Sequence, residues 1–215
     1  MEVDHIFIFS DNQGKEAQEL IDFGFTEGSS RIHLGQGTNN RKFHFENFFL
    51  EILWVINETE IKSDLVYPTQ LWERSNFSKN NVSPFGLCLV NTEDSDVIFE
   101  NSLKYQPDYF PKGLEIEVLT NEKANYLPWI FRLPFKGEKK RTTEPIIHAN
   151  GISELTKVEF GIPFFDINNE YILNFEGKDS INFNQNSVYN LTLIFDNHKR
   201  NKINFFDTIP LTIKY

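Results

Sequence analysis

The sequence predicts an α+β fold in which β-strands predominate. Phenylalanine is frequent, with 22 residues in a chain of 215, and aromatic and β-branched residues favour sheets over helices. Strand-like apolar runs recur along most of the chain, whereas helical spacing is clear only near the N-terminus. At 25.3 kDa the chain can bury a sizeable core, and we expect one compact domain.

The first 57 residues predict one β-α-β-β-β unit. Residues 3–9 predict a strand, and residues 14–23 carry apolar side chains at helical spacing. Gly24 follows in the position that favours a left-handed C-cap. Three more strands are expected, near Phe25 with 30–33, at 41–46 and at 48–56.

The rest of the chain predicts further strands separated by polar loops. Residues 57–82 predict a loop connection with one short helix near 70–74. The next strands are expected at 85–90, 114–119 and 129–135. After a charged loop at 136–144, strands are expected at 155–162, 171–175, 181–183, 191–195, 203–206 and 211–215. Two β-rich halves are consistent with a distant internal duplication.

Charge and cysteine content limit the classes of partner. A net charge of -10 and a pI near 5.0 argue against nucleic-acid binding and against docking on anionic membranes. The single cysteine, Cys88, argues against a disulfide framework and a thiolate zinc site, and FGLCLV predicts that it is buried. Without a basic signal region or an apolar run of ~20 residues, we expect a cytoplasmic protein.

Two strands each carry one ionisable residue within an apolar run. His5 lies in VDHIFIFS and Glu51 lies in NFFLEILWV. Because successive residues of a strand face opposite sides, each of the two shares a face with apolar neighbours. Burying either charge alone is costly, so we expect the two residues to pair with each other, to bind a metal or to serve a pocket.

A polar loop, RIHLGQGTNNRKF, connects the second and third predicted strands. Gly35 and Gly37 permit positive φ or close backbone approach. The loop gathers the hydrogen-bonding side chains of His33, Gln36, Thr38, Asn39, Asn40 and Arg41. It is either a structured turn whose side chains bond their own backbone or a ligand-binding loop.

The strand predicted at 41–46 alternates strictly between two kinds of side chain. RKFHFE places Phe43 and Phe45 on one face and Lys42, His44 and Glu46 on the other. His44 is therefore expected on the solvent side and not among the ligands.

Eight stretches of the chain carry a family resemblance: DHIFIF, FGFTEGSSRIHLGQGTNNRKFHFENFFLEILWV, WERSNFSKNNVSPFGLCL, YQPDYFPKGLEIEV, PWIFRLPF, HANGISELTKVEFGIP, LTLIFD and PLTIKY. They resemble the vicinal oxygen chelate superfamily, and in particular its glyoxalase-like domain proteins of unassigned activity. The resemblance covers nearly the whole chain and implies paired βαβββ modules that form a curved, cup-like mixed sheet. It implies a first module at 1–57, a connecting segment with additional strands at 58–151, and a β-rich second module at 152–215.

The same resemblance implies where a divalent metal would bind. His5 matches the ligand position on the first strand, and Glu51 matches the one on the fourth strand, so both are candidate metal ligands and catalytic residues. Histidine and carboxylate ligands suit Zn, Fe, Mn or Ni about equally. His148 and His33 are further candidate ligands, from loops.

The second half departs from this pattern. The counterpart of His5 lies near Thr156 if LTKVEFGIP begins the second module, or near Gly86 if FGLCLV begins it. Neither residue is a histidine, and the last strand offers no carboxylate at the place that matches Glu51. The ligand set implied by the resemblance is therefore incomplete.

Three hypotheses follow for the cup. In the first, the cup is the active site of a metal-dependent lyase, isomerase or dioxygenase that acts on vicinal oxygens. In the second, it belongs to a metal-free module that binds or sequesters a small molecule. In the third, His5 and Glu51 form a buried structural pair. The expected contacts with a small-molecule ligand come from His33, Gln36, Thr38, Asn40, Arg41 and Trp54. The resemblance also implies a homodimer.

Overall fold

The N-terminal unit has the predicted order in the computed structural model, which describes residues 1–137, 139, 142–164, 166 and 168–215. Its strands β1 to β4 and its helix α1 occupy Val3–Phe9, Ile32–His33, Thr38–His44, Phe49–Val55 and Ala17–Asp22. β1 lies parallel to β4, and β4 pairs antiparallel with β3. Gly24 follows α1 with a φ of 111°, and its N–H donates to the carbonyl of Ile21 (2.8 Å). This is the C-cap that the sequence predicts.

Three short helices lie in the connection that follows β4. They are α2, α3 and α4, at Glu58–Ile61, Leu71–Ser75 and Phe77–Asn80. α3 confirms the helix predicted near 70–74. α2 begins where the Asn57 side chain accepts hydrogen bonds from two backbone N–H groups of the first turn, a common way to start a helix.

A second unit repeats the connectivity of the first. Its elements β5, α5, β6, β7 and β8 occupy Phe85–Asn91, Glu93–Phe99, Leu103–Tyr105, Ile116–Leu119 and Trp129–Lys136. The eight strands form one sheet in the order β2-β3-β4-β1-β5-β8-β7-β6, with β1 and β5 antiparallel at its centre. The predicted fold class is therefore confirmed: this is an α+β fold whose two βαβββ units build one curled half-barrel sheet.

The C-terminal residues form a second sheet and one short helix. The strands β9 to β13 occupy Leu155–Ile162, Ile181–Gln185, Asn190–Phe195, Lys202–Asn204 and Leu211–Lys214, and the helix α6 occupies Glu170–Leu173. The strand order is β10-β9-β11-β13-β12. The strand predicted at 171–175 is wrong, because Asn169 accepts a hydrogen bond from the Tyr171 N–H (3.0 Å) and so starts α6.

The strand connectivity differs from the division that the resemblance implies. The expected connecting segment at 58–151 contains β5 to β8, which are the counterparts of β1 to β4 in the half-barrel sheet. The expected second module at 152–215 forms a separate sheet. Of the two candidate first strands, FGLCLV is the one that pairs with β1.

The half-barrel sheet is buried on both faces. One face packs against the C-terminal sheet, with Phe85 of β5 and Phe160 of β9 in ring contact (5.8 Å between centroids). The other face carries a second apolar cluster that includes Phe7, Trp129 and Phe131. The face that packs against the C-terminal sheet therefore forms the main core, and the opposite face is the one on which a cavity can open. In the described part of the chain, the longest helix is α5, with 7 residues, and no helix is long and apolar enough to cross a membrane.

Candidate functional site

A cavity of about 150 Å³ opens on the face of the half-barrel sheet that lies away from the C-terminal sheet. Strands of both units line this cavity, which we call the cup. Tyr109 and Phe110, from the loop between β6 and β7, also line it. An apolar cavity of roughly this volume accepts a benzene-sized molecule. The cup therefore matches a ligand with a single ring or a short acyl chain.

Glu51 is a buried carboxylate on the wall of the cup, with 6% of its surface exposed. Asn40, on the neighbouring strand β3, donates a hydrogen bond from Nδ2 to Oε1 of Glu51. The Oδ1 atom of Asn40 accepts from the backbone N–H of Arg31 (2.7 Å), which fixes the orientation of the amide. Among the described residues Oε2 of Glu51 has no hydrogen-bond partner, so this oxygen is available to a ligand.

His5 faces the cup from the central strand β1. A bulge before His5 brings Asp4 alongside, and Nδ1 of His5 lies 2.6 Å from Oδ1 of Asp4. Burial opposes the ionisation of Asp4, but the hydrogen bond and the charge of His5 lower the pKa of Asp4 overall. The His5 ring stacks on Phe49 (4.2 Å, 10°). Since Asp4 takes Nδ1, Nε2 is the ring nitrogen left to contact a ligand.

Asp4, His5 and Cys88 form a group of three side chains whose ligand atoms lie within 4.8 Å of one another. Glu51 does not belong to this group. Burial raises the pKa of Cys88 well above its ordinary value, which disfavours the thiolate that a metal needs. Nδ1 of His5 is already bonded to Asp4. The group offers three candidate ligand atoms, and a metal that bound there would have to displace the thiol proton of Cys88 and the hydrogen bond between Asp4 and His5.

The second unit lacks ligands at the positions that correspond to His5 and Glu51. The two units meet where β1 and β5 pair, and Ile6 lies opposite Leu87 at the centre of that pairing. His5 and Gly86 each precede the central residue of their strand, so Gly86 is the counterpart of His5. Phe7 and Cys88 each follow it, and since Glu51 pairs with Phe7 and Phe131 pairs with Cys88, Phe131 is the counterpart of Glu51. A Cβ atom on Gly86 would lie 2.0 Å from the Phe7 ring. The residues present therefore do not fit the metal arrangement that the resemblance implies.

The loop between β2 and β3 is both a structured turn and part of the cup. His33, Gln36 and Asn40, three of the expected ligand contacts, line the cavity. Thr38 is fully buried behind them, where its hydroxyl accepts from Nε2 of Gln36 (2.8 Å). The Tyr109 hydroxyl donates to Oε1 of Gln36 (3.0 Å). These bonds hold the polar side chains of the loop against the cavity.

Arg41 and Trp54 lie on the opposite side of the sheet. Arg41 donates to the carboxylate of Glu27 (2.5 and 2.6 Å), and Trp54 covers Gly14. Neither residue lines the cup. His44 is on the predicted face of β3, but it is buried (8% exposed) and stacks on Phe49 (4.8 Å). The expectation that His44 faces solvent is therefore wrong, because Phe49 covers that position.

His148 joins two segments through both of its ring nitrogens. Nδ1 accepts from the backbone N–H of Thr26 (2.9 Å), and Nε2 donates to the carbonyl of His44 (3.0 Å). Burial lowers the pKa of His148 despite this second hydrogen bond. With both nitrogens engaged, His148 is a structural residue and offers no lone pair to the cup.

The lowered pKa of His148 predicts that acid destabilises the fold. Below the ordinary value of 6.5, the unfolded chain binds more protons than the native state, so the free energy of unfolding falls as pH falls. We expect urea unfolding at pH 7.5 and 5.5 to show this loss. His148→Gln can keep both hydrogen bonds without titrating, and it should lose less stability between the two pH values. An equal loss in both proteins would contradict this role.

The fold and the cup define a glyoxalase-like α+β protein with a cavity of small-molecule size. No family model and no curated protein matches the chain. A hypothetical protein from Staphylococcus aureus matches it with a TM-score of 0.56 and 11% identity, over 99% of this chain and 98% of that one. At this identity the likeness shows the fold alone.

Two further solved structures match less of the chain. A hypothetical protein from Bacillus halodurans has a TM-score of 0.41 and 8% identity, over 66% of this chain and 98% of its own. A Streptomyces coelicolor methylmalonyl-CoA epimerase, solved as a glutamate-to-glutamine variant in complex with 2-nitronate-propionyl-CoA, has a TM-score of 0.38 and 15% identity, over 62% and 96%. These scores are too low to carry a conclusion about function.

Proposed function

We propose that the chain is a metal-independent member of the vicinal oxygen chelate superfamily that binds a small molecule in the cup and transfers a proton to or from it. The observation that carries this proposal is the buried carboxylate of Glu51, whose Oε2 has no hydrogen-bond partner among the described residues and whose cavity has aromatic walls. A carboxylate placed in this way can accept a proton from a bound ligand.

His5 and Glu51 supply two different groups for this chemistry. Glu51, oriented by Asn40, is the proton acceptor. His5 presents Nε2 to the same cavity while Asp4 holds Nδ1, so it can donate to or accept from an oxygen of the ligand. Phe49 and Phe131 fix the His5 ring from two sides. This preorganisation reduces the reorientation needed when a ligand binds.

The residues of the second unit argue against the metal site that the resemblance to the vicinal oxygen chelate superfamily implies. Gly86 and Phe131 stand at the two positions where the second unit would supply ligands, and neither side chain can coordinate a metal. The Phe7 ring also occupies the space that a side chain at Gly86 would need. Half of the ligand set is therefore absent, and the space for one missing ligand is filled.

Glu51→Gln tests the proton acceptor, because it preserves shape and removes charge. Phenylacetone is a suitable probe, since it has one ring and exchangeable protons beside a carbonyl. We expect the protein to accelerate deuterium exchange of these protons in D₂O, followed by NMR, and Glu51→Gln to slow the exchange by about 100-fold or more. Glu154→Gln, an exposed carboxylate on the C-terminal part of the chain, is the matched control.

Two outcomes would contradict the proposal. Unchanged exchange in Glu51→Gln would remove Glu51 from the chemistry, and binding of phenylacetone without exchange would favour a sequestering module. Elemental analysis by plasma mass spectrometry tests the metal separately, on untagged protein purified without chelator. Near-stoichiometric metal that disappears in His5→Ala would overturn the metal-independent mechanism.

A further inference from the structure

The two halves of the cup differ sharply in polarity. The first unit contributes Glu51 and the half-buried Lys42 at paired positions on β4 and β3. The corresponding pair in the second unit is Phe131 and Val118. Related strand positions are therefore charged in one half and apolar in the other. A ligand that satisfies both halves needs a polar end and an apolar end.

Two cations lie at the polar end of the cup. Lys42 and Arg31 line the cavity, in a chain whose net charge is -10. Lys42 makes no ion pair within 4.0 Å among the described residues, although it is in register with Glu51. Arg31 donates one hydrogen bond to the carbonyl of Tyr109 (3.2 Å) and lies over the Tyr109 ring (4.9 Å). Further donors of both cations remain for a ligand.

We infer that the ligand of the cup is a small organic anion, with a carboxylate or similar head group against Lys42 and Arg31 and an apolar body against Phe131 and Trp129. This inference rests on the proposed function and adds the chemical class of its ligand. Glu51 is the one acidic side chain that lines the cavity in the described residues, so two cations leave one positive charge for the head group. The cavity volume of about 150 Å³ limits the apolar body to about one ring.

Phenylacetate and phenylacetamide test this inference, because they differ in charge and hardly in shape. Isothermal titration calorimetry should show that the wild-type protein binds phenylacetate about tenfold more tightly than phenylacetamide. Lys42→Gln should weaken phenylacetate binding about tenfold and weaken phenylacetamide binding much less, because only phenylacetate loses an ionic contact. Arg31→Gln should act in the same direction. Lys15→Gln, an exposed residue outside the cup, controls for the change in net charge, and circular dichroism confirms that each variant folds.

The possible outcomes separate the charge of the ligand from the existence of the binding site. Equal affinity for both probes, unaffected by Lys42→Gln and Arg31→Gln, would overturn the anionic ligand and leave a small-molecule site intact. A preference for phenylacetate that Lys15→Gln removes as strongly as Lys42→Gln would show general attraction by charge and would also overturn the inference. Failure of both probes to bind at millimolar concentration would overturn the cup as a binding site and the inference with it.

Discussion

Arg74→Met should destabilise the protein by about 3–5 kcal/mol. The Arg74 side chain is fully buried on α3, and its guanidinium donates to the carbonyls of Ser83 (3.1 Å), Leu127 (2.9 Å) and Thr120 (2.6 Å). Burial lowers the pKa of Arg74, but the three carbonyl acceptors stabilise the cation. Methionine fills much of the same volume and leaves three buried carbonyls without this donor, each at a cost of roughly 1–3 kcal/mol.

Urea unfolding at neutral pH measures this effect, and the melting temperature should fall by roughly 10 °C. Arg74→Lys should be intermediate, because a single ammonium group cannot span all three carbonyls. Lys123→Met, an exposed residue, controls for the loss of a positive charge. A loss below about 0.5 kcal/mol for Arg74→Met would show that water replaces the guanidinium.

Gly86→Ala should cost about 2–4 kcal/mol through steric conflict alone. A Cβ atom at this position would lie 2.0–2.4 Å from three atoms of the Phe7 ring. Gly86 does not occupy the left-handed region, so alanine meets no backbone strain. Phe7 is itself confined by Trp129 and Phe131, at 5.7 and 6.0 Å between ring centroids. The added methyl group must therefore disturb the apolar half of the cup.

A double-mutant cycle with Phe7→Leu tests whether Phe7 is the cause. The smaller side chain should recover much of the loss, which gives a coupling energy above about 1 kcal/mol in urea unfolding. Gly161→Ala is a suitable control, since its new Cβ atom would meet the side chain of Asn186, which is only partly buried and can move. Equal losses for both glycine variants would contradict the steric explanation.

Local sequence patterns predicted the fold class and the opening unit. Strand alternation, the helical spacing at 14–23 and Gly24 are local signals, since each is visible within a few neighbouring residues and does not depend on which strands pair. The strand predicted at 171–175 failed because the apolar residues of YILNF suit a short helix as well as a strand, and Asn169 decided between them by capping. The apolar pattern alone cannot distinguish these outcomes over five residues.

Residues of the candidate site could be predicted only where the alternation of side chains within a single strand indicated which face they occupy. Alternation placed His5 and Glu51 on faces that the structure brings to one cavity. RKFHFE placed Lys42 on the face opposite Phe43, but that face was expected to meet solvent, so Lys42 was missed as a residue of the cup. The same alternation would have removed Trp54, which has the opposite parity to Glu51.

The contribution of the second unit could not be predicted in this way. Phe131 reaches the cup through the pairing of β8 with β5 and β7, and Tyr109 reaches it from the loop between β6 and β7. No local pattern specifies either placement. Asp4 was overlooked because a bulge, and not the regular pleat, turns it toward His5.

The division of the cup into a charged half and an aromatic half gives the two faces of a bound ligand different chemical neighbours. A planar group bound between Glu51 and Phe131 presents one of its faces to the carboxylate and the other to a ring that carries no exchangeable proton. In the proton transfer that we propose, exchange would then be confined to one face of the ligand. A cup whose two units both carried a carboxylate at this position would offer a proton acceptor to each face, so phenylalanine at the second position is what would make the proposed transfer selective for one face.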